Sequence, residues 1–173
     1  IDADGLTVLA AHRGLLSRSA PTLITPHAGE LARLLGADRG DVEARRLEHA
    51  RRAADELGVT VLLKGSTTVI APAPGGAAES GSTPASGGAS GSGGKPVLVN
   101  ATGTSWLATA GSGDVLSGLT GAMLAQGLTT EDAAAVGAYL HGLAGRLAAD
   151  GSPIGAADLI TALPAAIRLT AAG

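Results

Sequence analysis

An α/β fold with a largely parallel sheet and one added β-hairpin is the fold class this sequence predicts. Three observations predict it. Short β-branched apolar runs alternate with longer stretches of helical period. One run, VTVLL (Val59 to Leu63), is apolar nearly throughout, as a strand buried on both faces requires. A glycine-rich stretch, ATAGSGDVLSG (Ala108 to Gly118), leads directly into an apolar helical segment.

The elements follow in chain order. GLTVLAAHRGLL (Gly5 to Leu16) carries the first helical period, on Leu6, Leu9, Ala10 and Leu16. PTLITP is a short strand closed by Pro26, which biases Thr25 toward extended geometry. AGELARLLG reads as a helix stopped by Gly36. Asp41 is the expected N-cap of the next helix, VEARRLEHARRAADEL. Leu47, Ala50, Ala54 and Leu57 share one face of it, and Glu48 can pair with Arg51 or Arg52. The strand VTVLL ends at Lys64 and Gly65; TTVIAP and PVLVN (Pro96 to Asn100) are two further strands. Between them, residues 73–95 are nearly all Gly, Ser, Ala and Pro, with little to bury. They read as a flexible hairpin loop, with the flanking strands paired across it. Three helices close the chain: DVLSGLTGAMLAQG, TEDAAAVGAYLHGLAGRLAAD with Thr130 as its expected N-cap, and GAADLITALPAAIRLT.

A chain of 173 residues fits one domain with a sizeable core. With one Trp, one Tyr and no Phe, that core rests on Ala, Val, Leu and Ile. The net charge of −3 with no basic run argues against nucleic acid as the main partner. The lack of cysteine excludes disulfides and thiolate metal sites and fits a cytoplasmic protein. No apolar run spans a bilayer and no signal peptide is visible. The opening IDADGL has the character of a buried strand end. The expectation is that the natural chain continues upstream, so that residues 1–173 form the C-terminal part of one larger domain.

The glycine-rich turn decides the chemistry. A dinucleotide fingerprint would need glycine at Leu116, after Gly111 and Gly113. A P-loop over Gly113 and Gly118 would need lysine at Leu119. Neither label fits. What remains is an anion hole of backbone N–H groups at a helix N-terminus, over Ala110, Gly111, Ser112 and Gly113. Asp114 has two readings: a first-turn acid that favours the helix dipole, or a general base beside the hole. The base would take a proton from a hydroxyl attacking a phosphoryl group. An acid against a phosphate site is electrostatically awkward, which favours a chemical role or a nearby Mg²⁺.

GSGDVLSG resembles the G-[AST]-G-D anion-hole motif of the ribokinase-like superfamily. Together, TPHAGELARLLG (Thr25 to Gly36), LLKGSTTVI (Leu62 to Ile70) and the run from Asn100 to Gly127 resemble the ADP-dependent NAD(P)H-hydrate dehydratases. The resemblance implies a ribokinase-like three-layer α/β/α fold whose N-terminal part is missing from this chain. It also implies a repair activity, in which NADHX or NADPHX is dehydrated to NADH or NADPH while ADP (ATP in eukaryotic relatives) is split to AMP and phosphate. Carried over by motif, Asp114 is the catalytic and hydrate-binding position and His27 contacts the hydrate. Lys64, Gly65, Ser66, Thr67, Thr68 and Gly113 bind the nucleotide. Mg²⁺, a homotetramer, and fusion to or work with an NAD(P)H-hydrate epimerase belong to the same expectation.

Each residue also has a plain reading. Lys64 can be a strand-end lysine reaching water. His27 can bond backbone at a helix start, with Glu30 supporting that N-terminus. Asn100 can orient phosphate or metal. Trp106 reads as core. Asp2 and Asp4 either approach the substrate or sit in an ordinary turn. His12, His49 and His141 lack metal-ligand spacing and read as surface or structural residues; no resident metal site is expected. Two alternatives stay open. One is a small-molecule kinase of the same superfamily, of hydroxymethylpyrimidine or hydroxyethylthiazole type. The other is an inactive nucleotide-binding module. The missing upstream half leads to an expectation of weak or no repair by this chain alone.

Overall fold

In the computed structural model, residues 1–75 and 95–171 are described. The sequence of elements is α1 (Asp4–Ala11), β1 (Leu23–Ile24), α2 (Ala28–Leu35), α3 (Arg39–Ala44), α4 (Arg46–Leu57), β2 (Thr60–Leu63), β3 (Thr68–Ala71), β4 (Leu98–Asn100), α5 (Ser112–Ala125), α6 (Thr130–Ala149) and α7 (Ala156–Ala171). The expected loop at 73–95 falls for the most part outside the described residues. Its flanks do pair: β3 and β4 run antiparallel, with Val69 opposite Val99.

The sheet order is β1-β2-β3-β4. Strands β1 and β2 are parallel and joined through α2 to α4; the β2–β3 and β3–β4 pairings are antiparallel. Among the described residues the sheet is therefore mixed. The hairpin extension continues straight from β2, because only Lys64 to Thr67 separate β2 from the β3 residue Thr68.

Alternation along the strands builds three layers. Ile24, Val61, Leu63, Val69 and Ala71 face one core, shared with Leu6, Leu9, Leu31, Leu34, Ala50 and Ala54 of α1, α2 and α4. Leu23, Leu62 and Ile70 face the other, against Leu116 of α5 and Ala134 and Ala138 of α6. All four residues of β2 are buried, as its nearly continuous apolar run requires. Burying one such leucine side chain contributes about 1.5–3 kcal/mol. Helix α7 packs on α6 through Leu140, Ala144 and Ala166.

Several local expectations are corrected. Asp38, not Asp41, caps α3, its carboxylate accepting from Asp41 N–H at 3.1 Å. The long predicted helix breaks at Arg45, whose backbone is non-helical. Leu47, in the first turn of α4, is 49% exposed, and Glu48 meets Arg45 rather than Arg51 or Arg52. Arg52 pairs with Glu56. Thr129 caps α6 by accepting from Asp132 N–H, while the Thr130 hydroxyl lies 2.7 Å from that of Thr60. Trp106 is 39% exposed, because the 3₁₀ turn Ser105–Leu107 sends Leu107, not Trp106, toward α6 at Gly145. No helix among the described residues is long and apolar enough to cross a membrane.

Candidate functional site

The site forms where the parallel strands end, the usual location of ligand groups in α/β sheets. Beyond β1 and β2 the pairing continues as a bridge between His27 and Lys64, with Lys64 N–H donating to Pro26 C=O at 2.8 Å. This bridge fixes both residues at one rim. His27 caps α2: its Nδ1 accepts from Gly29 and Glu30 N–H, while Glu30 accepts from His27 N–H at 2.7 Å. Both plain readings of that pair thus hold, although His27 also lines the cavity described below.

Lys64 is held at the rim by a carboxylate and is only partly exposed. Its Nζ donates to Asp2 Oδ1 at 2.7 Å, and Asp2 Oδ2 accepts from the Ser117 hydroxyl at 2.6 Å. Burial pushes the Asp2 carboxyl up. The Lys64 and Ser117 hydrogen bonds, with the Lys64 charge, outweigh it and hold the group below the usual carboxylate range. The Lys64 ammonium also stands 3.2 Å from the point a Cβ at Gly113 would occupy. A side chain at this position would push the ammonium away by a few tenths of an ångström.

Gly113 lies in the first turn of α5. The N-cap Gly111 has φ 81°, a left-handed conformation natural to glycine. This kink spends the Ser112 N–H on Thr109 C=O at 3.3 Å, and Val115 makes the first bond back to Gly111. The N–H groups of Gly113 and Asp114 have no partner among the described residues. Of the four N–H groups expected in the anion hole, that of Ser112 is thus spent on Thr109, while that of Gly113 is free and is joined by Asp114 N–H. They point out of the positive end of a 14-residue helix.

A cavity of about 690 Å³ opens beside this turn, within the range of small-molecule sites. Its wall brings together His27, Lys64, Gly65, Ser66, Thr68, Ser112 and Gly113, residues far apart in sequence. Thr67, Ala110, Gly111 and Asp114 are not part of this wall. Asp114 is exposed and makes no hydrogen bond or ion pair among the described residues. The Asn100 amide is committed to structure, donating to Ala138 C=O and accepting from the Thr102 hydroxyl. Asn100 also lines the cavity, and each end of its amide keeps one further hydrogen-bonding position.

Two residues escaped the sequence reading. Arg46 lies behind the K-G-S-T-T turn, where one guanidinium nitrogen is shared among the carbonyls of Leu63, Lys64 and Thr67 at 3.0–3.1 Å. Its role is set by contacts 17 to 21 residues away, which no local period reveals. His141 is 7% exposed and lines the cavity. Burial pushes its pKa down; the bond to Ser112 opposes this, and the Lys64 charge adds to it. A signal for it existed: Ala134, Ala138 and His141 recur at helical spacing, so the histidine shares the buried face. His49, by contrast, is buried on structural contacts, with Nδ1 3.1 Å from Arg45 C=O. His12 is exposed.

The comparisons with known proteins bear on this geometry. The model of the NAD(P)H-hydrate dehydratase family matches residues 1–166. The chain is 50% identical over 155 residues to a bifunctional NAD(P)H-hydrate repair enzyme of Mycobacterium leprae, covering 88% of this chain and 28% of that one. It is 37% identical over 171 residues to an ADP-dependent (S)-NAD(P)H-hydrate dehydratase of Neisseria meningitidis, covering 97% and 51%. The crystal structure of an ADP/ATP-dependent NAD(P)H-hydrate dehydratase from Bacillus subtilis, co-crystallised with ATP/Mg²⁺, superposes with TM-score 0.71 at 29% identity, covering 88% of this chain and 49% of that one. The chain thus spans between about a quarter and a half of the length of these relatives.

Proposed function

Because this chain belongs to the NAD(P)H-hydrate dehydratase family, with its ribokinase-like fold, we propose that it serves nicotinamide-nucleotide repair. The reaction is the ADP-dependent dehydration of NADHX and NADPHX to NADH and NADPH, with release of AMP and phosphate. One observation carries this reading: the Lys64 ammonium lies beside Gly113 on the cavity wall, and Gly113 N–H has no partner among the described residues. A cation and helix-terminal donors converging on one point are what a transferring phosphoryl group requires.

In this mechanism ADP lies with its phosphates between Lys64 and the first turn of α5, and Gly65, Ser66, Thr67 and Thr68 hold the nucleotide. The hydrate lies near His27. Asp114 takes the proton of the hydrate hydroxyl as its oxygen attacks the terminal phosphorus, and the bond to AMP breaks. The ring nitrogen lone pair then expels phosphate, and loss of a proton from the neighbouring ring carbon completes the double bond. Phosphate leaves where hydroxide would not, which explains the need for a nucleotide.

Mg²⁺ fits this donor set as an ion carried on the nucleotide. Among the described residues no group of three or more His, Asp or Glu side chains converges. Mg²⁺ commonly uses one or two carboxylates and keeps its other positions for phosphate and water. Unpaired Asp114 is the carboxylate that would serve it, and the ion would neutralise phosphate charge. The same reading puts the protein in the cytoplasm, in a homotetramer, and beside an NAD(P)H-hydrate epimerase. Exposed Tyr139, Leu147, Ile160 and Ile167 on α6 and α7 support the oligomer.

The test is to incubate the protein with NADHX and ADP, following the absorbance of reduced nicotinamide and the release of AMP. Asp114→Asn is expected to lower turnover by about 10²–10⁴-fold while leaving AMP binding nearly intact. Normal turnover in that variant would remove Asp114 from the mechanism.

A further inference from the structure

His141 reaches the anion-binding turn from α6. Its Nε2 lies 3.0 Å from the Ser112 carbonyl oxygen and 3.2 Å from the Ser112 hydroxyl. A carbonyl oxygen only accepts, so Nε2 must carry the proton. That fixes the tautomer, leaving Nδ1 as a bare acceptor with no partner among the described residues. It also means that the Ser112 hydroxyl does not donate to the imidazole, and its own hydrogen remains free.

The consequence passes through one peptide bond. No cis peptide occurs among the described residues, so the Ser112 C=O and the Gly113 N–H point in opposite directions. A donor that pins the carbonyl therefore also aims the N–H, and Gly113 N–H is one of the two free donors of the first turn. We infer that His141 is the positioning residue of this turn: as the Nε2–H tautomer it fixes the Ser112–Gly113 peptide and leaves the Ser112 hydroxyl free to donate to the bound phosphate. This inference rests on the proposed nucleotide site. The neutral ring that it requires agrees with the burial of His141 and with the nearby Lys64 charge, both of which disfavour the imidazolium.

The design of α6 supports the assignment. Next to the histidine, a Cβ on Gly142 would stand 2.8 Å from the Thr102 carbonyl carbon and 2.9 Å from Gly103 N. The helix thus approaches the loop after β4 at a distance only glycine allows. This close seat lets the imidazole span from α6 to α5.

The test combines a spectrum of the wild-type protein with two variants. In ¹⁵N-histidine spectra at neutral pH, His141 is expected as the Nε2–H tautomer. The opposite tautomer, or a ring protonated at neutral pH, would overturn the inference without any ligand being present. His141→Gln keeps an N–H close to the Nε2 position and should hold ADP affinity within about threefold, whereas His141→Leu, which leaves the carbonyl without that donor, should weaken it about tenfold or more. The Gly113 amide signal should move in the Leu variant and return toward its wild-type position in the Gln variant. Equal ADP affinity in both variants would overturn the inference even if both fold. A wild-type protein that binds no ADP would instead remove the nucleotide reading, while the tautomer result would still decide the His141 contact.

Discussion

Lys64 and Asp2 form the electrostatic centre of the cavity rim, and the protein should respond to each differently. The pair is only partly exposed, with the ammonium bound to a carboxylate that is also held by Ser117. Asp2→Asn removes the charge partner while keeping the shape. It should cost about 1–3 kcal/mol in a urea titration. With one negative charge fewer beside the phosphates, ADP affinity should hold or rise. The pH dependence follows from two groups whose folded pKa values are depressed. His141, lowered by burial, must take up a proton on unfolding once the pH falls below its unfolded value of about 6.5. Stability should therefore fall through that window on acidification, and His141→Gln should flatten the loss. Asp2 acts lower: its contribution is present above the unfolded value of about 3.9 and is lost as pH drops toward its lower folded value. Thermal melts across pH, for wild type and both variants, separate the windows.

At the scale of elements, the turn between β2 and β3 owes its shape to Arg46, one nitrogen of which gathers three carbonyls. Arg46→Met should loosen this turn and raise KM for ADP several-fold with kcat less affected, since the lost bonds hold ground state and transition state alike. In α6, Gly142→Ala must displace the backbone at Thr102 and Gly103 and should cost about 1–3 kcal/mol. Elements were legible where periodicity and chain-stopping residues agree. Gly36 ends α2 in the left-handed conformation, and the β-branched run of β2 is buried throughout. Caps were less legible. Asp38 and Asp41, or Thr129 and Thr130, are chemically equivalent candidates, and only the backbone turn chooses between them. Arg45 breaks the predicted long helix with no proline or glycine to announce it.

At the scale of the molecule, the motifs quoted from the sequence meet at one cavity. The T-P-H turn, the K-G-S-T-T turn and the G-S-G-D turn lie near residues 27, 64 and 113, and the sheet carries all three to the same rim. Their individual chemistry was readable from residue types. Their convergence was readable only through resemblance, since no local pattern encodes a contact between Asp2 and Ser117 across 115 residues. The mixed sheet follows from the meander β2-β3-β4, which places the hairpin beside the parallel pair β1–β2. The central claim is that this rim is a phosphate site built by Lys64 and the first turn of α5. Calorimetric titration of ADP into the wild-type protein and Lys64→Met tests it most directly. Saturable binding that weakens about tenfold or more in the variant is the predicted result. Equal affinity in the two proteins, or no saturable binding to the wild type, would contradict it.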